Sequence, residues 1–130
     1  MAVFLFGRQA ILMDYKATER RKTGYIASVG DVSSTFESVL TYLNDEFTPG
    51  MTKPEVVARL DALFVWEFTG GSDRDETARW AEGVLFPGEG CDEQTFRSGE
   101  RPCTTIVYWF MYDDGVLSEV LPDDLGPSGP

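Results

Sequence analysis

The 130-residue chain contains no histidine, and this absence removes many enzyme mechanisms from consideration. Histidine is the side chain whose ordinary pKa places its change of charge between roughly pH 5 and 8. Serine and cysteine hydrolysis with an imidazole base, histidine-ligated zinc and imidazole proton transfer are therefore excluded. The sequence also has no Ser-x-x-Lys segment, so serine hydrolases that use such a segment are excluded as well.

Cysteine and positive charge are scarce too. Cys91 and Cys103 are the only cysteines, too few for a structural zinc site, and no metal or cofactor is predicted. The formal net charge is −11, and after residue 30 only 6 basic residues stand against 20 acidic ones. Because such a surface repels phosphate backbones, nucleic acid is not predicted as a partner.

Long apolar runs are missing as well. The first residues, MAVFLFGRQAILM, are apolar, but Arg8 interrupts them well short of the roughly 20 residues that a membrane-spanning helix needs. They also lack the basic start and the cleavage site of a signal peptide. Two interpretations stay open: the segment is the remnant of a membrane anchor, which would place the domain near a membrane, or residues 2–6 pack on the core.

The residues that are present indicate a folded protein. Apolar residues make up 42% and aromatic residues 13% of the chain, and this length suits one domain with a substantial core. We predict a helical or apolar N-terminal segment over 1–30, an α+β domain over 31–121 and a disordered tail over 122–130. The tail is predicted because PDDLGPSGP has the composition of a frayed end.

Helical spacing of apolar residues predicts consecutive helices. One is favoured over about 8–27. The next covers about 32–46, with Ser34 and Glu37 at capping-box spacing near its start. Its apolar stripe comprises Val32, Phe36, Val39, Leu40, Leu43 and Phe47.

The stretch TPGMTKPEV shows how this helix gives way to another. A Pro-Gly pair ends the first helix. Thr52 and Glu55 then have the spacing of a second capping box, and Pro54 fits the first helical turn, where its missing N–H costs nothing. Two sets of helix signals this close together predict a helical hairpin in one domain, with its second helix over about 53–63 and Val56, Val57, Leu60, Leu63 and Phe64 on its apolar stripe.

The second half of the chain favours strands. FVWEFT and TTIVYWFMYD are rich in the β-branched and aromatic residues typical of strands. Residues 77–86 fit a strand too, with Trp80 and Leu85 as its inward residues and with helix left open. Asp114 and Gly115 suit a two-residue hairpin turn into a last strand. We therefore predict an antiparallel sheet of about three to four strands.

The order of these elements resembles that of a known family. Two helices meet at a Pro-Gly-Met-Thr-Lys-Pro-Glu-Val junction, and a strand with aromatic-Glu-aromatic follows, then a long loop and a hairpin that turns at Asp-Gly. The family is that of small envelope proteins that includes the β-barrel-assembly lipoprotein of SmpA/OmlA (BamE) type and the β-lactamase-inhibitor-protein-like domains, in which a pGMTkeeV segment opens the second helix. The residues at those places here are Pro49, Gly50, Met51, Thr52, Lys53, Glu55 and Val56.

The resemblance implies an α+β fold in which an N-terminal helix and a helical hairpin pack on an antiparallel sheet of about three to four strands. It also implies a place outside the cytoplasm, in the cell envelope or secreted, and action through contacts with a protein partner. Three departures limit it: LDALF stands where the family has Leu-Gly-x-Pro, no cysteine near Met1 could carry a lipid anchor, and the loop from Gly70 to Pro102 is longer than the family's pattern. Any membrane tether is therefore expected upstream of Met1. β-Lactamase inhibition is not carried over, because no contact residues of a known inhibitor are matched.

The two cysteines agree with an oxidising compartment. Cys91 and Cys103 flank a segment whose glycine and proline are typical of a loop. Bridging such a loop is worth about 3 kcal/mol by the loop-closure argument. We predict a disulfide between them; the alternative is two unlinked thiols in a cytosolic protein.

Aromatic residues supply the candidate binding site. Period two puts Tyr108 and Tyr112 on one face of their strand and Trp109 on the other. If the helices cover one face only, the other exposes large side chains, and an exposed aromatic patch usually marks a binding surface. The alternative is that the long loop or the N-terminal segment covers that face. The predicted patch comprises Trp66, Trp80, Tyr108, Trp109 and Tyr112.

A second function stays open as the alternative. Paired carboxylates are the catalytic option that the composition still allows, and Glu67 and Glu119 are expected on opposing strands. They would make the protein a small carboxylate-dependent hydrolase, or a ligand-binding protein, with its site under the loop of residues 70–102. Because acidic residues are abundant, solvated strand faces explain these two better, and we do not predict an enzyme.

Overall fold

The structure is a computed structural model that describes residues 19–71, 79–88, 90–99 and 103–123. The interpretation of the chain before residue 19 and that of residues 124–130 of the predicted tail lie outside these ranges. Pro122, the first residue of the tail predicted over 122–130, belongs to the last described strand. Within the described ranges, no helix combines the length and the apolar character needed to cross a membrane.

Helices pack against one face of a four-stranded antiparallel sheet. The described helices are residues 19–30 (α1), Phe36–Glu46 (α2), Lys53–Leu63 (α3) and Glu93–Ser98 (α4). The described strands are Glu67–Gly71 (β1), Arg79–Pro87 (β2), Thr105–Asp113 (β3) and Val116–Pro122 (β4). All neighbours pair antiparallel, in the order β1-β2-β3-β4. The predicted α+β class, with helices on an antiparallel sheet, is confirmed.

Side-chain caps set the start of both helices of the hairpin. Thr52 and Glu55 form the predicted capping box at α3, in which each side chain accepts from the other residue's backbone N–H. At α2 the predicted pair of Ser34 and Glu37 is wrong, because the side chain of Thr35 accepts the N–H three residues later, at 3.1 Å. Thr35 has the extended backbone conformation that a cap needs, so the helix begins later than expected.

The core lies between the helical hairpin and the sheet. At the end of α2, Phe47 is fully buried, and its ring centroid lies 5.0 Å from that of Phe110 in β3. Leu43 of α2 and Ile26 of α1 are fully buried as well, so α1 shares one core with the rest of the described fold. The other members of this core are Ala27, Val39, Val56, Leu60, Phe64, Trp80, Val84, Phe86, Tyr108, Tyr112, Leu117 and Val120.

The side chains of Thr23 and Glu19 connect α1 to the start of α2 through hydrogen bonds. The hydroxyl oxygen of the buried Thr23 lies 2.6 Å from the carbonyl oxygen of Glu19 and 2.8 Å from that of Ser34. Glu19 Oε1 accepts from the N–H of Phe36 at 2.9 Å, which satisfies one of the free donors in the first turn of α2. Hydrogen bonds, as well as the core, therefore join α1 to the domain predicted over 31–121.

Local turn chemistry explains the β3–β4 hairpin and α4. Asp114 and Gly115 both have positive φ, 56° and 84°, and form the predicted two-residue turn. The interpretation of residues 91–103 as a loop is wrong in part, because α4 lies within them. Asp92 caps α4 by accepting a backbone N–H, and Gly99 ends it with a φ of 63°. An Asp and a Gly at the two ends of a short segment were the signals that could have predicted this helix.

The outer edge of β4 is closed by the helical hairpin. The Asn44 side chain of α2 donates to the carbonyl of Val120 and accepts from its N–H, both at 3.0 Å. Gly50 donates to the carbonyl of Leu117 at 2.8 Å, and the N–H of Leu117 donates to Met51 O at 2.7 Å. These bonds occupy backbone groups that an edge strand otherwise leaves open to another chain.

Replacing Asn44 by alanine is expected to lower the free energy of unfolding by about 1–3 kcal/mol, because both backbone groups of Val120 lose their partner in a half-buried position. Urea unfolding of the two proteins would measure the loss. The matched control is Asp45→Ala on the exposed side of the same helix, for which we expect a change within about 0.5 kcal/mol. Equal effects of the two substitutions would contradict a role for Asn44 at this edge.

Candidate functional site

Three residues of the predicted aromatic patch lie in the core. Tyr108 is 1% exposed, Tyr112 2% and Trp80 4%. They share the sheet face that the helices cover, and the Trp80 ring stacks on that of Tyr112 with centroids 4.3 Å apart. The inward position predicted for Trp80 is confirmed, whereas Leu85 alternates to the opposite face of β2. Tyr108 and Tyr112 do not belong to an exposed patch, because period two separates the faces of a strand but does not say which face the helices cover.

Burial also makes the two tyrosines unsuited to acid–base chemistry. Desolvation raises the pKa of Tyr108 and of Tyr112 well above the ordinary value, and for Tyr112 the negative charge of Glu82 raises it further. Both hydroxyl groups therefore stay protonated at physiological pH. They do not provide an anionic base or nucleophile.

Trp109 lies on the opposite face of the sheet, where it covers Gly83 of the neighbouring strand. A Cβ atom at Gly83 would lie 3.2 Å from two ring carbons of Trp109 and 3.1 Å from the methyl group of Thr69. Trp109 Nε1 donates to Asp123 Oδ1 at 2.7 Å. The Trp109 ring is half-buried. It is held in place by these contacts and covers part of this face of the sheet.

Trp66, the last member of the predicted patch, is partly buried against the core and lies beside an exposed phenylalanine. Its ring meets that of Phe68 edge to face, with centroids 4.7 Å apart. Trp66 Nε1 donates to Asp61 Oδ1 of α3 at 2.8 Å, which fixes the indole against the helix. Phe68 is 46% exposed, so this ring pair presents apolar area to solvent at the side of the fold.

The outer side of α3 continues this apolar area. Pro54, Val57 and Ala58 follow the spacing that puts residues on one side of a helix, and with Lys53 and Asp61 they line an open depression of about 550 Å³. Val57 is half-exposed and does not belong to the buried stripe on which it was predicted. We call Pro54, Val57, Ala58, Trp66 and Phe68 together the α3–β1 surface.

Lys53 joins this surface to a buried carboxylate. Its ammonium nitrogen lies 2.8 Å from Glu82 Oε1, and the Glu82 side chain on β2 is 1% exposed. The same nitrogen stands over the ring of Phe68, 5.2 Å from its centroid, and over that of Trp80 at 5.6 Å. A cation in the first turn of a helix is disfavoured by the helix dipole, so the carboxylate and the rings offset an unfavourable position.

The carboxylate pair of the alternative function is not brought together. Glu67 lies on β1 and Glu119 on β4, so two strands stand between them. With neighbouring strands about 4.8 Å apart, β1 and β4 are separated by about 14 Å. Glycoside hydrolysis needs carboxyl groups within about 9.5 Å of each other. Both side chains are exposed, which agrees with their interpretation as residues on solvated strand faces.

The predicted disulfide between Cys91 and Cys103 is confirmed, with Cα atoms 5.3 Å apart. The bridge closes the segment that contains α4, whose Phe96 is buried.

A depression of about 600 Å³ lies between this disulfide-closed segment and α1, at the place where the alternative function predicts a site. Its lining residues are Arg20, Gly24, Tyr25, Ala27, Ser28, Asp31, Val32, Ser34, Gly88, Gly90 and Cys91.

Replacing both cysteines by serine is expected to lower the free energy of unfolding by about 3 kcal/mol, because the unfolded chain regains the freedom that the closed loop removes. Urea unfolding of the oxidised protein and of the double variant would measure the difference. A reducing agent should destabilise the parent protein and leave the double variant unchanged. Uptake of an alkylating reagent by both cysteines without prior reduction would contradict the bridge.

Comparisons with family models, with curated proteins and with solved structures find no match for this chain. The resemblance to the BamE-like envelope family therefore rests on the sequence motif at the helical junction and on the order of the elements. The assignment of function has to come from the surfaces described above.

Sequence reasoning missed the residues that connect α3 to β1. Phe68 stands two places after Trp66, so period two could have placed both rings on one side. Pro54, Val57 and Ala58 could have been recognised as a second apolar side of α3, separate from the core stripe. No sequence signal marks Glu82 as buried among the 22 acidic residues.

Proposed function

We propose that the protein is a non-enzymatic interaction module outside the cytoplasm, and that it binds a protein partner through the α3–β1 surface. The observation that carries the proposal is the exposed ring of Phe68, held between Trp66 and the Lys53 ammonium group. Aromatic side chains on a fixed support are the residues that dominate binding energy at protein interfaces.

Rigid supports surround these rings, which favours binding without a large entropic cost. The capping box at Thr52 sets the start of α3, and the hydrogen bond from Trp66 to Asp61 ties β1 to the same helix. Because a partner would meet side chains that are already ordered, little rotamer freedom is lost on association. A flexible ring at the same place would bind more weakly.

Charge around the α3–β1 surface indicates the chemistry of the partner. The exposed Asp61 accepts from the Trp66 indole, and the chain as a whole carries a net charge of −11. The partner that fits best brings an apolar side chain to Phe68 and basic side chains around it. Acidic partners would be repelled.

The proposed location rests on the disulfide. Disulfides form and persist in oxidising compartments, and the bridge between Cys91 and Cys103 supports a place in the cell envelope or outside the cell. Attachment to a membrane through the N-terminal segment belongs to the same proposal. Localisation of the tagged full-length protein by cell fractionation would test both.

Substitution of Phe68 by aspartate tests the binding surface. Once a partner is identified by photo-crosslinking from position 68, we expect Phe68→Asp to weaken binding by about 30-fold or more, which corresponds to the roughly 2 kcal/mol of a hot spot. The matched control is Thr41→Asp, which places the same charge on the exposed side of α2 and should leave affinity unchanged. Unchanged affinity in the folded Phe68→Asp protein would remove the α3–β1 surface from the proposal.

The hydrolase alternative has less support. The distance between the strands that carry Glu67 and Glu119 separates its carboxylates, and the buried tyrosines stay protonated. A ligand under the disulfide-closed segment would have to bind in the depression beside Cys91. We therefore favour the interaction module.

A further inference from the structure

We propose that Glu82, Phe68 and Trp80 form a binding site for a primary alkylammonium ion, and that the side chain of Lys53 occupies it. The ammonium nitrogen lies 2.8 Å from Glu82 Oε1, 5.2 Å from the centroid of the Phe68 ring and 5.6 Å from that of Trp80. The site thus consists of the Glu82 carboxylate and two aromatic rings, carried by two neighbouring strands. The side chain that occupies it, Lys53, belongs to the same protein.

The burial of the Glu82 carboxylate favours a cation beside it. Glu82 is 1% exposed and lies in the register of the central strands opposite Phe110. A carboxylate removed from water is strongly unfavourable unless a positive charge compensates it. Lys53 places a cation 2.8 Å from this carboxylate, from the first turn of a helix where the backbone itself disfavours positive charge.

The aromatic rings give the site its preference for an organic ammonium ion. A cation over a ring face is attracted by the ring quadrupole, and both Phe68 and Trp80 present their faces to the Lys53 nitrogen. The alkyl part of the ligand then packs along apolar surface. A small hydrated ion such as sodium would be attracted by the carboxylate, but it has no alkyl chain to pack against the apolar surface.

An external ligand can reach the site when the lysine side chain is removed. The Lys53 side chain is 32% exposed, and Lys53 also lines the open depression on α3. Substitution by alanine would therefore leave a channel from solvent to Glu82, with room for the three methylene groups and the ammonium group that were deleted. n-Propylammonium reproduces that deleted group. The site does not depend on whether the α3–β1 surface binds a protein.

The experiment is chemical rescue of Lys53→Ala by n-propylammonium chloride, followed by thermal unfolding. We expect the variant to melt at a lower temperature than the parent, and the amine to raise its Tm in a saturable way that recovers most of the loss. The parent, in which Lys53 fills the site, should not respond. Sodium chloride at equal concentration and n-propanol, which has the shape without the charge, should have no comparable effect.

Two further variants separate a site from a general effect of the amine. Lys53→Ala/Glu82→Gln keeps the space but removes the charge, and it should lose the rescue. Arg59→Ala breaks an exposed ion pair, in which Arg59 lies 2.9 Å from Glu46, and it should show no rescue either. An equal rise of Tm in either control, or no rise in Lys53→Ala, would overturn the proposal.

A measurement on the parent protein applies even if Lys53→Ala does not fold. Protons above an aromatic ring are shielded, so the ε-methylene protons of Lys53 should resonate upfield of those of the exposed Lys22. Replacement of Phe68 by leucine should move them back toward the ordinary position. If the Lys53 and Lys22 resonances coincide in the parent, the ammonium group does not occupy the site and the proposal fails.

Discussion

Replacing Lys53 by methionine is expected to lower the free energy of unfolding by about 3–5 kcal/mol, since it removes the cation that lies against a buried carboxylate. Methionine keeps an apolar stem over the rings of Phe68 and Trp80, so the loss reports the ammonium group rather than the packing. Glu82, which is 1% exposed, cannot turn to water. Urea unfolding at neutral pH, with the slope compared between the proteins, would measure the effect.

The reverse substitution should cost less, and this asymmetry is the sharper test. In Glu82→Leu the lysine side chain, already 32% exposed, can extend into solvent, so we expect a loss below about 1.5 kcal/mol. The double variant Lys53→Met/Glu82→Leu should be close to the parent, because replacing a buried pair by apolar groups is often neutral. Equal losses in the two single variants would contradict the argument from burial.

The substitution Arg59→Met measures how much an exposed ion pair contributes to the free energy of unfolding. Arg59 and Glu46 are 2.9 Å apart but remain 47% and 31% exposed. Solvent screening limits such a pair to about 0–1 kcal/mol. A loss in Arg59→Met as large as that in Lys53→Met would show that burial is not what makes the Lys53 contact important.

The second large effect is expected in the core. Phe47→Ala should lower the free energy of unfolding by about 3–5 kcal/mol, because it opens a cavity where the end of α2 meets the sheet. The Phe47 side chain is fully buried, and its ring contacts those of Phe64 and Phe110. Guanidinium unfolding would measure the loss, and far-UV circular dichroism would check that the variant still folds.

Two variants control the Phe47 experiment. Phe47→Leu keeps most of the volume, and we expect a loss below about 1.5 kcal/mol. Phe68→Ala removes a phenylalanine that is 46% exposed, so most of the deleted area was already in contact with water. A loss in Phe47→Ala no greater than in Phe68→Ala would show that the helical hairpin does not pack on β3 as described.

Local signals in the sequence predicted the parts of the fold that depend on neighbouring residues. The capping box at Thr52 and Glu55 and the turn at Asp114 and Gly115 are both confirmed, because each depends on residues at most three positions apart. The strand expected from Phe64 begins instead at Glu67, since Phe64 ends α3 with its N–H on the carbonyl of the preceding turn.

The candidate site could not be predicted in the same way. Trp80 and Trp66 were both assigned to the aromatic patch, yet one stacks on Tyr112 in the core and the other lies beside the exposed Phe68. Trp80 lies on β2, inside the sheet, whereas Trp66 precedes the edge strand β1. Which strand forms the edge depends on contacts between segments far apart in the chain.

The sequence by itself determined the class of the protein, the helical hairpin with its caps, the final turn and the chemistry that a chain without histidine cannot perform. Those properties follow from residue types and short spacings. The tertiary structure alone decided which face of β3 is buried, that Glu82 is the buried acid, and that Lys53 reaches it across 29 positions of sequence. Burial and pairing at that separation are set by the sum of many packing contacts, to which no single local pattern corresponds.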